Sequence, residues 1–170
     1  MQKEFVEKVL FLDFDGVLLS LQSHVYWELL GTKPNRYEQF CPLAISNLNL
    51  IARHIPNLCL VLSTSWRCSV LLDGNDPIEV LGGDLERAGF QYKHLIHSYT
   101  PTIDRNWGPR GEDIAKWFDE YKCGRYVILD DIPDLGPRHV HCDDRVGLDW
   151  ITMLKVFEMF EVCLLYTSDA

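Results

Sequence analysis

Residues 8–18 read KVLFLDFDGVL. Val9, Leu10, Phe11, Leu12 and Phe14 form an apolar, β-leaning run of the kind that suits a strand buried on both faces. The run feeds into Asp13-Phe14-Asp15-Gly16, so two carboxylates stand where the strand ends. Alternation along an extended chain puts Asp13 and Asp15 on one side. Two like charges facing one point cost energy unless a cation or a proton lies between them, and a divalent metal is the economical solution. Gly16 permits the sharp turn that follows.

With 170 residues of 47% apolar composition, the sequence suffices for one domain with a sizeable core, expected over residues 1–162. The formal charge of −9 disfavours nonspecific wrapping of a nucleic-acid backbone, an affinity that comes from Lys and Arg neutralising phosphates. A short nucleotide or a nucleic-acid end held through metal stays compatible with it. The opening MQKEFVEKVLFL carries scattered charges and no uninterrupted apolar core, so neither a signal peptide nor a membrane span is expected and the location is read as cytoplasmic. The six cysteines include no Cys-x-x-Cys pair, which argues against a structural zinc site and for small buried hydrophobes. Residues 163–170, CLLYTSDA, resemble a translated sequencing-library adapter and are set aside from fold reasoning.

Outward from the opening strand, apolar runs alternate with helical patterns. Pro42 to Ile55 reads as a helix with Ile45, Leu48, Ile51 and Ile55 on one face. Leu58 to Leu62 is a second buried strand, and Pro77 to Ala88 a helix with Ile78, Leu81 and Leu85 inward. Tyr92 to His97 reads as a third strand, and Ser98 to Pro109, with Trp107, as a loop. A helix opens at Arg110 and runs to Lys122 with Ile114, Trp117, Phe118 and Tyr121 as its stripe, followed by a strand over Arg125 to Leu129. His139 to Cys142 makes a short last strand, and a helix starting near Asp149 turns Ile151, Leu154 and Phe157 inward. Strands separated by helices imply a parallel α/β sheet with helices on both faces.

Chemistry gathers where the strands end. Ser63-Thr64-Ser65-Trp66-Arg67 follows the second strand and offers hydroxyls, amides and a guanidinium that suits phosphate. Arg110 places a cation at a helix start, unfavourable for the helix dipole, so it answers to something else. Asp130-Asp131-Ile132-Pro133-Asp134 follows the fourth strand. Since neighbouring strand residues face opposite ways, Asp130 is expected to touch metal directly and Asp131 through water, with Asp134 the alternative partner. The His139, His141 and Cys142 crowd diverges along its strand, against a transition-metal site. Val17 to Phe40, with His24, Tyr26, Trp27, Lys33 and Arg36, reads as a flap over the strand end.

Asp13-x-Asp15-Gly16, the hydroxyl cluster at Thr64, Arg110 and the acidic pair at Asp130 together resemble the ordered motifs of haloacid dehalogenase-like (HAD) phosphohydrolases. The Ser63 to Arg67 cluster is similar to HAD domains of RNA-repair proteins. The resemblance implies a three-layer Rossmann-like fold with strand order 3-2-1-4-5, and a Mg²⁺-dependent phosphatase working through an aspartyl-phosphate. It implies Asp13 as nucleophile, Asp15 as acid and base, Thr64 on phosphate, and Arg110 where lysine is commoner. Metal ligands are then Asp13, Asp130, Asp131 and Asp15 through its carbonyl, while Gly16, Ser63, Ser65 and Arg67 complete substrate binding. Neither connecting segment, Val17 to Phe40 or Cys68 to Pro109, has room for a large cap, which implies an open site for a nucleotide or a nucleic-acid end. Alternatives are a sugar-phosphate phosphatase or a noncatalytic module holding phosphorylated ligands.

Overall fold

The computed structural model describes residues 3–31, 33–101 and 109–162. The expected tail 163–170, the loop around Trp107 and Cys163 therefore lie outside the described residues. β1 (Glu4–Leu12) is the middle strand of five, paired in parallel with β2 (Leu58–Leu62) and β4 (Tyr121–Asp130). β3 (Ile96–Tyr99) pairs with β2 and β5 (His139–His141) with β4, giving the order β3-β2-β1-β4-β5.

Alternation in β1 divides the core into two layers. Leu10 and Leu12 face a large cluster built with α2 (Pro42–His54), α4 (Pro77–Arg87) and α6 (Trp150–Met159). Val9 and Phe11 face the other side, where α5 (Arg110–Glu120) lays Ile114 and Trp117 on Val61 and Ile128. Trp117 is fully buried and meets Phe11 edge-on at 5.2 Å between ring centroids. Its indole N–H donates to Ser98 Oγ at 2.9 Å, which supplies the partner a buried indole needs.

The helix α5 ends at Glu120, and β4 begins at once with Tyr121. Helical spacing alone carries through Lys122, but β1 starts at Glu4 and offers ladder partners from Glu4↔Tyr121 onward, so Tyr121 to Gly124 become strand. Tyr121 still packs on Trp117, now as a stacked ring at 4.6 Å. Gly124 fits this crowded pairing because a Cβ there would stand 2.9 Å from the Glu7 carbonyl oxygen. The third strand lies a few residues later than expected, at Ile96–Tyr99. In α6 the Asp149 side chain caps the Thr152 N–H at 2.8 Å, which turns Thr152, Val156 and Phe157 inward and leaves Ile151 and Leu154 exposed.

The expected flap contains α1 (Leu21–Leu30), capped by Ser20 and Gly31, with no buried residue. Its first amides donate to Asp144 and Arg145 carbonyls, so it leans on the loop after β5. Cys142 is the one described cysteine that is buried, while Cys41, Cys59, Cys68 and Cys123 are half-buried. Among the described residues no helix is long and apolar enough to cross a membrane.

Candidate active site

The last rungs of the sheet align its carboxyl edge. The Asp13 N–H donates to Leu129 O, Ser63 N–H to Leu12 O, Thr100 N–H to Leu62 O and Cys142 N–H to Asp130 O. Each strand thus ends level with its neighbour, and open α/β sheets bind ligands outside this edge.

Asp13 and Asp130 are both buried here, at 2% and 0% exposure. Asp13 Oδ1 accepts from the Phe14 N–H at 2.8 Å, and Oδ2 accepts from Arg110 Nη2 at 2.8 Å. Arg110 Nε also stands 2.9 Å from Asp130 Oδ2, an ion pair without hydrogen-bond alignment. Asp130 Oδ1 accepts from the Ile132 N–H at 3.0 Å, so its buried Oδ2 is left without a hydrogen bond and aimed at the site. The cation at the helix start thus answers to two carboxylates from different strands.

Asp131 joins them. One oxygen from each of Asp13, Asp130 and Asp131 lies within 4.8 Å of the others. Strand alternation puts Asp131 at one remove, but β4 ends at Asp130 and the chain bends at Asp131, bringing the next carboxylate back to the group. Asp134 has φ 63° and lies outside the group. Burial and the neighbouring Asp130 raise the Asp13 pKa to about 7 against the pull of Arg110, and burial likewise raises Asp130 and Asp131.

Gly16 makes this approach possible. It has φ +70°, and a Cβ there would overlap the Asp131 carboxyl. Gly16→Ala is therefore expected to cost about 1–2 kcal/mol from the left-handed backbone alone. It should also displace Asp131 and reduce the thermal shift produced by Mg²⁺, measured by melting with and without the ion.

Asp15 lies outside the three-carboxylate group and is held by Trp66, whose indole Nε1–H donates to Asp15 Oδ2 at 2.8 Å. Phe14 fixes that indole edge-on at 5.6 Å, and Phe40 stacks on it at 5.8 Å. Sequence reasoning missed this role of Trp66, which stands in the Ser63 to Arg67 cluster without a signal that ties it to Asp15. Ser63 and Thr64 are both buried at the edge; Ser63 Oγ has no partner, whereas Thr64 Oγ1 accepts from the Trp66 N–H at 3.3 Å. Ser65 is half-buried beside them, at the N-cap of α3 (Trp66–Leu72).

Arg67 departs from its expected place. It is 1% exposed, and its donors go to Thr100 O at 2.7 Å, Thr64 O at 2.6 Å, Ser63 O at 3.3 Å and the Asp113 carboxylate. The guanidinium ties the ends of β2 and β3 to α5, and a phosphate would have to displace those partners. An acid in the first turn of a helix suits the dipole by itself, so nothing local in the sequence marks Asp113 as the partner of Arg67.

The donor set fits a hard divalent cation. Three carboxylates gather beside one guanidinium that pairs with only two of them, Asp130 Oδ2 lacks a hydrogen bond, and every candidate ligand atom is oxygen. No curated protein and no solved structure matches the chain. Residues 9–151 match the family described as HAD domain in Swiss Army Knife RNA repair proteins, a span that runs from β1 through the acidic turn after β4 and into α6. The sheet order is consistent with a haloacid dehalogenase-like fold, and the match shows that the chain belongs to that family of haloacid dehalogenase-like domains.

Proposed function

We propose that the chain is a Mg²⁺-dependent phosphatase that works through an aspartyl-phosphate on Asp13, with a nucleotide or a nucleic-acid terminal phosphate as substrate. Family membership supports a HAD-type phosphatase or a related function. The observation that carries the reading is the convergence of Asp13, Asp130 and Asp131 around Arg110 at one sheet edge.

Asp13, Asp130, Asp131 and the Asp15 carbonyl would hold the ion. When bound, Mg²⁺ supplies positive charge that offsets repulsion between a carboxylate and a phosphate. An Asp13 oxygen attacks phosphorus in line, and the bond to the leaving oxygen breaks as that oxygen takes a proton from Asp15. Asp15 then removes a proton from water, whose oxygen attacks the same phosphorus and frees Asp13 and phosphate. Arg110 steadies the nucleophile from a helix start, and Ser63 or Thr64, with nearby amides, receives the phosphate oxygens. Trp66 sets the Asp15 carboxylate.

The test is a panel of mononucleotides, sugar phosphates, and 3′- or 5′-phosphorylated oligonucleotides, with Mg²⁺ present and absent. Turnover is expected only with Mg²⁺ and fastest on nucleotide or oligonucleotide phosphates. Preference for sugar phosphates would remove the substrate proposal and keep the chemistry. No turnover on the whole panel, with retained binding of a phosphorylated ligand, would favour the noncatalytic module.

A further inference from the structure

The short edge strand β5 presents His139 and His141 on one side and the buried Val140 on the other. Solvent-facing polar residues on an edge strand are ordinary. These two do something more specific. His139 Nε2 lies 3.1 Å from the Asp130 carbonyl oxygen, and His141 Nε2 lies 2.9 Å from the Asp131 carbonyl oxygen. A carbonyl oxygen only accepts, so both rings must carry their proton on Nε2 and donate it.

Consecutive carbonyls of the acidic turn are thus gripped by side chains of the neighbouring strand. The Asp130 carbonyl also receives the Cys142 N–H as a ladder bond. Asp131, one residue past the end of β4, has a carbonyl beyond the last β4–β5 rung, and His141 takes the place of the missing strand partner. On the other side of the turn, Ile132 N–H holds Asp130 Oδ1. The peptide planes that carry both carboxylates are fixed from outside, and Asp130 Oδ2, without a hydrogen bond, stays beside the Arg110 guanidinium.

We propose that His139 and His141 are positioning residues for the metal site, holding the Asp130–Asp131 turn in its ion-binding shape through Nε2–H donation to its carbonyls. The proposal rests on the metal reading above. It also gives the two histidines a role other than ligation, since each Nε2 is committed to a carbonyl. Groups that orient metal ligands commonly change metal affinity by about 10- to 100-fold when removed.

Isothermal titration of the full chain with MgCl₂ tests it without turnover, on wild type, His141→Leu, His141→Gln and the His139→Leu/His141→Leu pair. The glutamine amide reaches about as far as Nε2 and can donate, whereas leucine fills space only. Expected is about tenfold weaker binding for His141→Leu, weaker still for the double variant, and near-wild-type affinity for His141→Gln. Equal affinity in all four, or a glutamine variant as weak as the leucine one, overturns the proposal. If wild type itself takes up no Mg²⁺, the metal site falls and takes this inference with it, a result distinct from the first two. Long-range ¹H–¹⁵N spectra of the wild-type rings give an independent reading: Nε2–H tautomers are expected for both, and Nδ1–H tautomers would overturn the carbonyl contacts.

Discussion

Asp13→Asn is expected to lower turnover by on the order of 10⁴-fold or more, the scale seen when a nucleophile is removed, while raising the melting temperature of the metal-free chain at pH 8. The two effects have one source. Burial and Asp130 lift the Asp13 pKa to about 7, whereas an unfolded chain loses that proton near pH 4. Between those values the folded chain binds a proton that the unfolded chain has lost. Stability from this group is therefore full below about pH 4 and declines as pH rises through 7. That rise in pKa corresponds to at most roughly 4 kcal/mol, and Arg110, left beside a neutral amide, takes part of it back.

Metal-free wild type should accordingly melt lower at pH 8 than at pH 5, with a smaller drop in Asp13→Asn. Added Mg²⁺ should restore stability to wild type and do little for the variant. A variant that melts below wild type at pH 8 without metal would mean that the Arg110 pair outweighs the burial of charge. Asp119→Asn, on the outer side of α5, serves as the control with unchanged turnover.

Arg67→Met is expected to destabilise the fold by about 3–5 kcal/mol, because it leaves Asp113 as an unpaired charge that is 5% exposed. At this chain length that is a fall of roughly 6–20 °C in melting temperature. The double variant Arg67→Met/Asp113→Leu should recover much of the loss, since replacing both partners by apolar groups removes the uncompensated charge. Thermal melts of the single and double variants measure it. Had Arg67 met phosphate directly, the single change would instead raise KM and leave the melting temperature nearly alone.

The two arginines show where sequence is informative. Arg110 stood out because a cation at a helix start opposes the dipole, and it does pair with Asp13 and Asp130. Arg67 sat among hydroxyls after a strand, a setting equally consistent with a phosphate ligand and with a brace. Only the closing of α5 over β2 and β3 brings Asp113 within reach and selects the brace. The sheet itself was legible because each buried run, from Val9 to Leu12, Leu58 to Leu62 and Val127 to Leu129, is apolar on both faces and followed by polar residues.

What escaped was set by partners distant in the chain. The start of β4 at Tyr121 depends on β1 extending back to Glu4, and the helical spacing of Ile114, Trp117 and Tyr121 gave no sign of the break. The nearness of Asp131 depends on the chain bending after Asp130 and on the missing Cβ of Gly16. Period-two alternation applies only while a strand lasts. Trp66 meets Asp15 across 51 residues and the two histidines of β5 reach back 9 and 10 residues to the acidic turn, each through a single hydrogen bond that no local pattern announces.

In the proposed mechanism the phosphoryl group passes through Asp13. Acid-quenched single turnover of the Asp15→Asn variant, which should stall water attack on the intermediate, tests it with Mg²⁺ and an activated aryl phosphate, followed by peptide mapping by mass spectrometry. One phosphoryl group is expected on the peptide carrying Asp13. Release of the aryl alcohol with no phosphoryl group on that peptide, or with the group on another residue, would contradict it.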